Sequence, residues 1–206
     1  MTAMLEQYRA LLNLGNDVIF SKIDHDAAMV ADVYTIESPG KPCQILKICD
    51  RAHDYTNEVY FLNHFENHVQ VPRIIKTLPP GQENHGAILM EYLSGFLLKP
   101  ARITKEIAFQ LGRSLAIIHS HKADGFGYLN REVALASEPT SHFKEKFLEG
   151  IDECKTHLPA DLIAQVCHYF DAMHHLIEKV DGPRIIHRDF RPGNIIVKNN
   201  SLCGII

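Results

Sequence analysis

Ile185-Ile186-His187-Arg188-Asp189-Phe190-Arg191-Pro192-Gly193-Asn194-Ile195-Ile196-Val197 is the stretch on which the fold turns. Two apolar runs flank a short polar turn, which holds an Asp and, five residues later, an Asn. The apolar runs read as strands that fix both ends of the turn. Between them, a carboxylate can face an attacking hydroxyl while an amide oxygen reaches a Mg²⁺ beside the phosphates. Phosphoryl transfer needs that arrangement. The alternative is an ordinary polar hairpin turn in which Asp189 only caps the loop.

His187-Arg188-Asp189-Phe190-Arg191-Pro192-Gly193-Asn194 resembles the H-G-D-x-H-P-G-N loop of aminoglycoside phosphotransferases and the related choline-kinase-like small-molecule kinases. The departures are Arg188 for the common Gly and Arg191 for the common His. Neither removes the Asp or the Asn. Protein kinases usually carry Lys two residues after this Asp, so a protein-kinase reading ranks below. The helix sequence Gln110-Leu111-Gly112-Arg113-Ser114-Leu115-Ala116-Ile117-Ile118-His119 resembles the G-x-x-L-A-x-L-H helix of the same superfamily. The resemblance implies a protein-kinase-like α+β fold. Residues 1–93 would be the nucleotide-binding lobe, built on an antiparallel sheet, and residues 94–206 a mainly helical catalytic lobe. It also implies transfer of the γ-phosphoryl group of ATP, or GTP, to a small-molecule hydroxyl, with Mg²⁺ as cofactor. Asp189 would act as base or hydroxyl-orienting group, and Asn194 as metal ligand.

The upstream pattern agrees with a sheet lobe. Val18-Ile19-Phe20, Val33-Tyr34-Thr35-Ile36 and Gln44-Ile45-Leu46-Lys47-Ile48 alternate with turns, which reads as antiparallel strands. The loop between the first two contains no glycine, although Ala27 and Ala28 are small enough for a close approach to phosphate; Asp26 and Asp32 would have to point outward. Lys47 sits inside an apolar strand and needs a partner, because an unpaired buried ammonium is costly. Glu58, on the helical stretch 55–65, can supply it. Alone, Lys47 reads equally as an edge-strand solubilising lysine. Taken with the Asp/Asn loop, it reads as the phosphate-holding lysine and Glu58 as its orienting partner. In the same frame, Gly86 to Gly95 resembles the interlobe hinge, with Met90 as gatekeeper and the Glu91 carbonyl and Leu93 N–H meeting the base. The alternative is a simple buried strand.

Further on, Ile107, Leu111, Leu115 and Ile118 recur at helical spacing, and residues 141–156 and 160–180 read as two more helices. Phe143, Phe147, Ile151 and Cys154 share one face of the first of these, with Glu145, Glu149, Asp152 and Glu153 opposite. Those acids could line a pocket for a cationic acceptor, though such a run is usually a solvated face.

Composition sets outer bounds. At 206 residues, 46% hydrophobic and 22% charged, the chain has the make-up of a soluble globular protein. A net charge of -4 and the absence of Trp give no case for nucleic acid or an anionic membrane as partner. Five scattered cysteines without a CxxC pair support neither zinc nor a disulfide framework; reduced thiols in a cytoplasmic protein are expected. The thirteen histidines form no HExxH pattern.

The family's second metal ligand is an Asp directly after the strand that ends, here, at Ile206. The 206-residue chain is therefore expected to be C-terminally truncated and inactive or nearly so alone. Its uncovered apolar surface would be met by self-association or by a segment supplied elsewhere. A catalytically silent nucleotide-binding regulator is the alternative from another class.

Overall fold

A computed structural model describes residues 3–23, 31–128 and 134–206. They divide into two compact units, one of residues 1–118 with 187–206, the other of residues 119–186.

The first unit is built on five antiparallel strands in the order β1-β2-β3-β5-β4. These are β1 (Ile19–Lys22), β2 (Ala31–Glu37), β3 (Gln44–Cys49), β4 (Ile74–Leu78) and β5 (Gly86–Glu91). One face, through Tyr34, Ile36, Leu46, Ile48, Ala87 and Leu89, packs on Leu5, Tyr8 and Leu12 of the N-terminal segment. On the other, Cys49, Ile88 and Met90 pack on Tyr55 and Leu62 of α2 (Ala52–Phe65). β5 is buried from Gly86 to Met90 because it lies between β3 and β4 with its side chains shared by both faces.

Helix α1 spans Ala3–Leu11. Asn13 takes the left-handed conformation at φ 50°, and Leu14 N–H donates to Arg9 O while Asn13 N–H donates to Ala10 O. This pair of bonds is a Schellman cap, with Asn in place of the usual Gly. Arg9 then turns inward. Its guanidinium donates to the carbonyls of Gly15 and Val18 at 2.6 and 2.9 Å, so the buried charge is hydrogen-bonded rather than bare.

A second sheet, β6 (Phe96–Leu97), β7 (Ile195–Lys198) and β8 (Ser201–Ile205), completes the unit. The β7–β8 turn is made by Asn199 and Asn200, both left-handed at φ 51° and 60°. Two consecutive left-handed residues match the natural strand twist, and Asn tolerates them. Helix α3 (Lys105–Ser120) clamps this hairpin: Gln110 Oε1 accepts from Leu202 N–H at 2.9 Å, and its capping residue Thr104 donates to Asn200 Oδ1 at 2.8 Å.

The first half of the opening stretch departs from expectation. Ile185-Ile186 is not a strand; Ile185 N–H donates to His121 O, and only Arg184 forms an isolated bridge, to Lys122. An apolar pair without an adjacent partner strand has no ladder to join.

The second unit holds α4 (Pro139–Cys154) and α5 (Ala160–Met173), followed by a 3₁₀ segment, His174–Lys179. One continuous helix over 160–180 therefore does not form. His174 and His175 bring Nδ1 to within 2.8 and 3.0 Å of the carbonyls of Asp171 and Ala172, a three-residue spacing that accompanies the tighter coil. Phe147 stacks on Phe170 with centroids 4.0 Å apart, whereas Phe143 is exposed rather than packed with Phe147 and Ile151. No helix among the described residues is long and apolar enough to cross a membrane.

Candidate active site

Four of the residues singled out from the sequence meet within the first unit. Lys47 lies on β3, between β2 and β5, so it is not on a sheet edge. Its Nζ is 2.9 Å from Glu58 Oε1 on α2, and the two side chains are 25% and 21% exposed. Burial pulls the lysine pKa down, but the Glu58 charge and hydrogen bond more than offset it, leaving the pKa above its ordinary value. The pair is an ammonium held charged and aimed by its carboxylate.

Asp189 and Asn194 form the other half. The 3₁₀ turn Pro192–Asn194 folds the chain back so that Asn194 Nδ2 donates to the Asp189 backbone oxygen at 2.9 Å and to Asp189 Oδ2 at 2.7 Å. The loop is closed by its own two functional residues. Pro192 sits at the start of the turn, where its fixed φ suits the geometry and no N–H is lost. Arg188 is left-handed at φ 65°, which gives the physical reason why glycine is common at this place in such loops. Arg191 Nε donates to both Asp189 oxygens at 2.9 and 3.0 Å. Desolvation is the largest single influence and pushes the Asp189 pKa up, but bonds from Arg191 and Asn194 and the positive charge of Arg191 together bring it below the ordinary value. The carboxylate is ionised at neutral pH and 59% exposed, so an acceptor hydroxyl can reach it.

His187 connects the two halves, a role not assigned from the sequence. Its ring meets Phe61 of α2 edge-on at 5.1 Å and Phe190 at 5.6 Å. Its Nδ1 is buried without a hydrogen-bond partner. Burial lowers its pKa against the opposing pull of the Glu58 and Asp189 carboxylates, so the ring is held neutral near the ion pair and the loop together. Phe61 is three residues beyond Glu58 on the same helix. The only sequence signal was an aromatic at that spacing on the apolar side of α2.

The remaining singled-out residues lie along β5 and just beyond it. Met90 is buried and pairs with Ile45 and Ile74 on its two neighbour strands. Glu91 N–H donates to Arg73 O. Leu93 lies against Gly204 of β8, where even a methyl group would collide with the Leu93 side chain. Asp32 is paired with Lys22 at 2.7 Å. Asp26, Ala27 and Ala28 fall outside the described residues. Glu145, Glu149, Asp152 and Glu153 lie on α4 in the other unit, where Glu149 and Asp152 hold Lys146 and Lys155.

A divalent cation at the loop would find hard oxygen donors. Asn194 commits Nδ2 to Asp189, which leaves Oδ1 as its accepting atom. No group of three acidic, histidine or cysteine side chains able to hold a metal occurs among the described residues. The pair fits Mg²⁺ only as part of a shell shared with phosphate oxygens and water.

Residues 29–206 match the model of the phosphotransferase enzyme family (APH). No curated protein matches the chain. Among solved structures, similar ones include a thermostable mutant of aminoglycoside phosphotransferase APH(4)-Ia in ternary complex with AMP-PNP and hygromycin B. There the TM-score is 0.69 at 14% identity, over 100% of this chain and 70% of that one. The streptomycin-ATP-APH(2″)-IIa ternary complex matches with a TM-score of 0.66 at 16% identity, covering 100% of this chain and 69% of that chain. The GDP and kanamycin complex of APH(2″)-IIIa matches at 0.62 and 15%, over 98% and 70%. At such identities the likeness establishes a common fold, protein-kinase-like with an antiparallel sheet lobe and helices.

Proposed function

The chain belongs to the phosphotransferase enzyme family, and from that premise we propose that it moves the γ-phosphoryl group of ATP or GTP to a hydroxyl on a small molecule. The observation that carries this reading is the closed Asp189–Asn194 loop, joined through His187 and Phe61 to the helix that bears Glu58. Lys47 holds the nucleotide phosphates, with Glu58 keeping its ammonium charged and directed. Residues 1–93 serve as the nucleotide lobe, with Met90, the Glu91 carbonyl and the Leu93 N–H beside the base, and 94–206 as the catalytic lobe. Asp189 orients the acceptor hydroxyl and receives its proton as the hydroxyl oxygen bonds to the γ-phosphorus and the bond from that phosphorus to the β,γ-bridging oxygen breaks, releasing the nucleoside diphosphate. Asn194 Oδ1 would be a Mg²⁺ ligand. A bound Mg²⁺ would neutralise charge on the transferring phosphoryl group. The complexes of similar proteins with ATP, an ATP analogue or GDP support a nucleotide as the donor.

One observation favours a second reading, a nucleotide-binding regulator without transfer: Arg191 already occupies both Asp189 oxygens. A single assay separates the two. ATP consumption is followed with aminoglycosides, choline, sugars and amino alcohols offered in turn. The transferase reading expects acceptor-dependent consumption that Asp189→Asn abolishes. Nucleotide binding with no acceptor-dependent consumption would establish the regulator instead.

A further inference from the structure

A cavity of about 670 Å³ borders the catalytic turn, lined by Phe96, Leu97, Leu98, Lys99, Arg102 and Gly193. Gly193 belongs to the same 3₁₀ turn that ends at Asn194, so the cavity opens next to the loop that carries Asp189. Its other wall is β6 with the short turn Pro100–Arg102. The lining holds two cations and no acid.

One of those cations is set against an aromatic surface. The Arg102 guanidinium lies over the Phe96 ring, 5.3 Å from its centroid, and Phe96 is 46% exposed. Neither Lys99 nor Arg102 is ion-paired among the described residues. A stacked guanidinium keeps its donor edge free and pre-oriented, which suits a carboxylate taken through two parallel hydrogen bonds. The neighbouring apolar surface of Phe96 and Leu97 suits a flat or apolar body attached to that carboxylate. An acceptor carrying several ammonium groups would meet Lys99 and Arg102 with like charge, and like-charge contact is a recurrent device for excluding a competitor.

We propose that this cavity is an acceptor subsite, and that it selects a hydroxyl compound carrying a carboxylate on an apolar body over a polycationic one. The proposal rests on the phosphotransferase reading and names the substrate class for that same site. The acceptor hydroxyl is turned toward Asp189 while Arg102 and Lys99 hold the carboxylate at the far side of Gly193.

Three probes on one scaffold test it: 4-(hydroxymethyl)benzoate, benzyl alcohol and 4-(aminomethyl)benzyl alcohol, each titrated into the full chain with saturating Mg²⁺·ADP. The carboxylate is expected to bind about tenfold tighter than the neutral alcohol, a factor equal to ~1.4 kcal/mol, with the amine weakest. Arg102→Glu should reverse the order of carboxylate and amine, and Lys99→Ala with Arg102→Ala should erase the preference. Both positions are exposed, so the variants retain the fold, which their thermal unfolding verifies. A wild-type site that prefers the amine or ignores charge overturns the proposal, as does an unchanged order in Arg102→Glu. ADP affinity is measured first in the same samples. A chain that binds no nucleotide refutes the transferase reading, whereas bound nucleotide beside a charge-blind acceptor site refutes the subsite alone.

Discussion

Replacing Glu58 by Gln leaves Lys47 with its burial and without its counter-charge. The two groups are 2.9 Å apart and each is about three-quarters removed from solvent. The pair therefore falls between exposed ion pairs, worth ~0.2–1 kcal/mol, and buried ones, whose breaking costs about 3–5 kcal/mol. A loss of about 2 kcal/mol at pH 7 is expected. The pH dependence follows from the direction of the shift. In the wild type the folded-state pKa of Lys47 is raised, because burial is more than offset by Glu58. A raised lysine pKa contributes stability that is fully present below the unfolded value near 10.4 and is lost only as pH climbs through the folded one. The wild-type contribution of this pair is thus constant from pH 7 to about 10. In Glu58→Gln burial, the largest influence on Lys47, is opposed only by the weaker pull of Asp54 and Cys49, and the folded value is depressed. The variant then regains stability as pH rises past that value, by up to about 1.4 kcal/mol per unit. Urea unfolding of both proteins at pH 7 and pH 10, compared at equal m-value, measures the gap. A gap under ~0.5 kcal/mol at pH 7, the level of an exposed pair, or one that is identical at the two pH values, would refute the reasoning.

Other outcomes follow from the same geometry. Asn194→Ala removes the bonds to Asp189 Oδ2 and to its backbone oxygen, and should lower the single-turnover transfer rate about 100-fold, the scale of losing one positioned polar group. Because the Asp189 pKa is lowered, its carboxylate stays ionised as pH falls from 8 to about 5, and the rate–pH profile should show no acid limb from it there; Arg191→Ala should move that limb upward. Asn199→Val places a β-branched residue at φ 51° and should cost about 1–2 kcal/mol in denaturant unfolding, whereas Asn199→Gly should cost nothing. Cys49 is buried and its thiol pKa is pushed up to about 12, so iodoacetamide at pH 8 should leave it unlabelled in the native protein and label it after unfolding, as peptide mass mapping will report.

The sheet was legible in the sequence because its signals are local. Alternation marks β2 and β3, and the apolar spacing Ile107, Leu111, Leu115, Ile118 marks α3, whose bounds Lys105–Ser120 agree closely. The features that escaped are those set by distant partners or by an unusual residue in an ordinary role. Ile185-Ile186 has the composition of a strand but finds only an isolated bridge nearby. Asn13 ends α1 in a conformation usually left to glycine, which no local sequence pattern marks. The contact of His187 with Phe61 joins residues far apart in the chain, and the aromatic at that spacing on α2 does not by itself say which residue it meets. The same holds for the cavity at Phe96, Arg102 and Gly193, which exists only once β6 pairs with β7. The Lys47–Glu58 contact was legible for the opposite reason: a lysine in an apolar strand demands a carboxylate, and the next helix offers one.

The central claim is that Lys47, kept charged by Glu58, holds the phosphates of the nucleotide that the Asp189–Asn194 loop acts upon. Calorimetric titration of Mg²⁺·ATP into the wild type and into Lys47→Met tests it most directly. Saturable one-site binding is expected in the wild type, weakened about tenfold or more in Lys47→Met, the effect of losing one charge-assisted contact. Equal affinity in the two proteins, or no binding to the wild type, would contradict it.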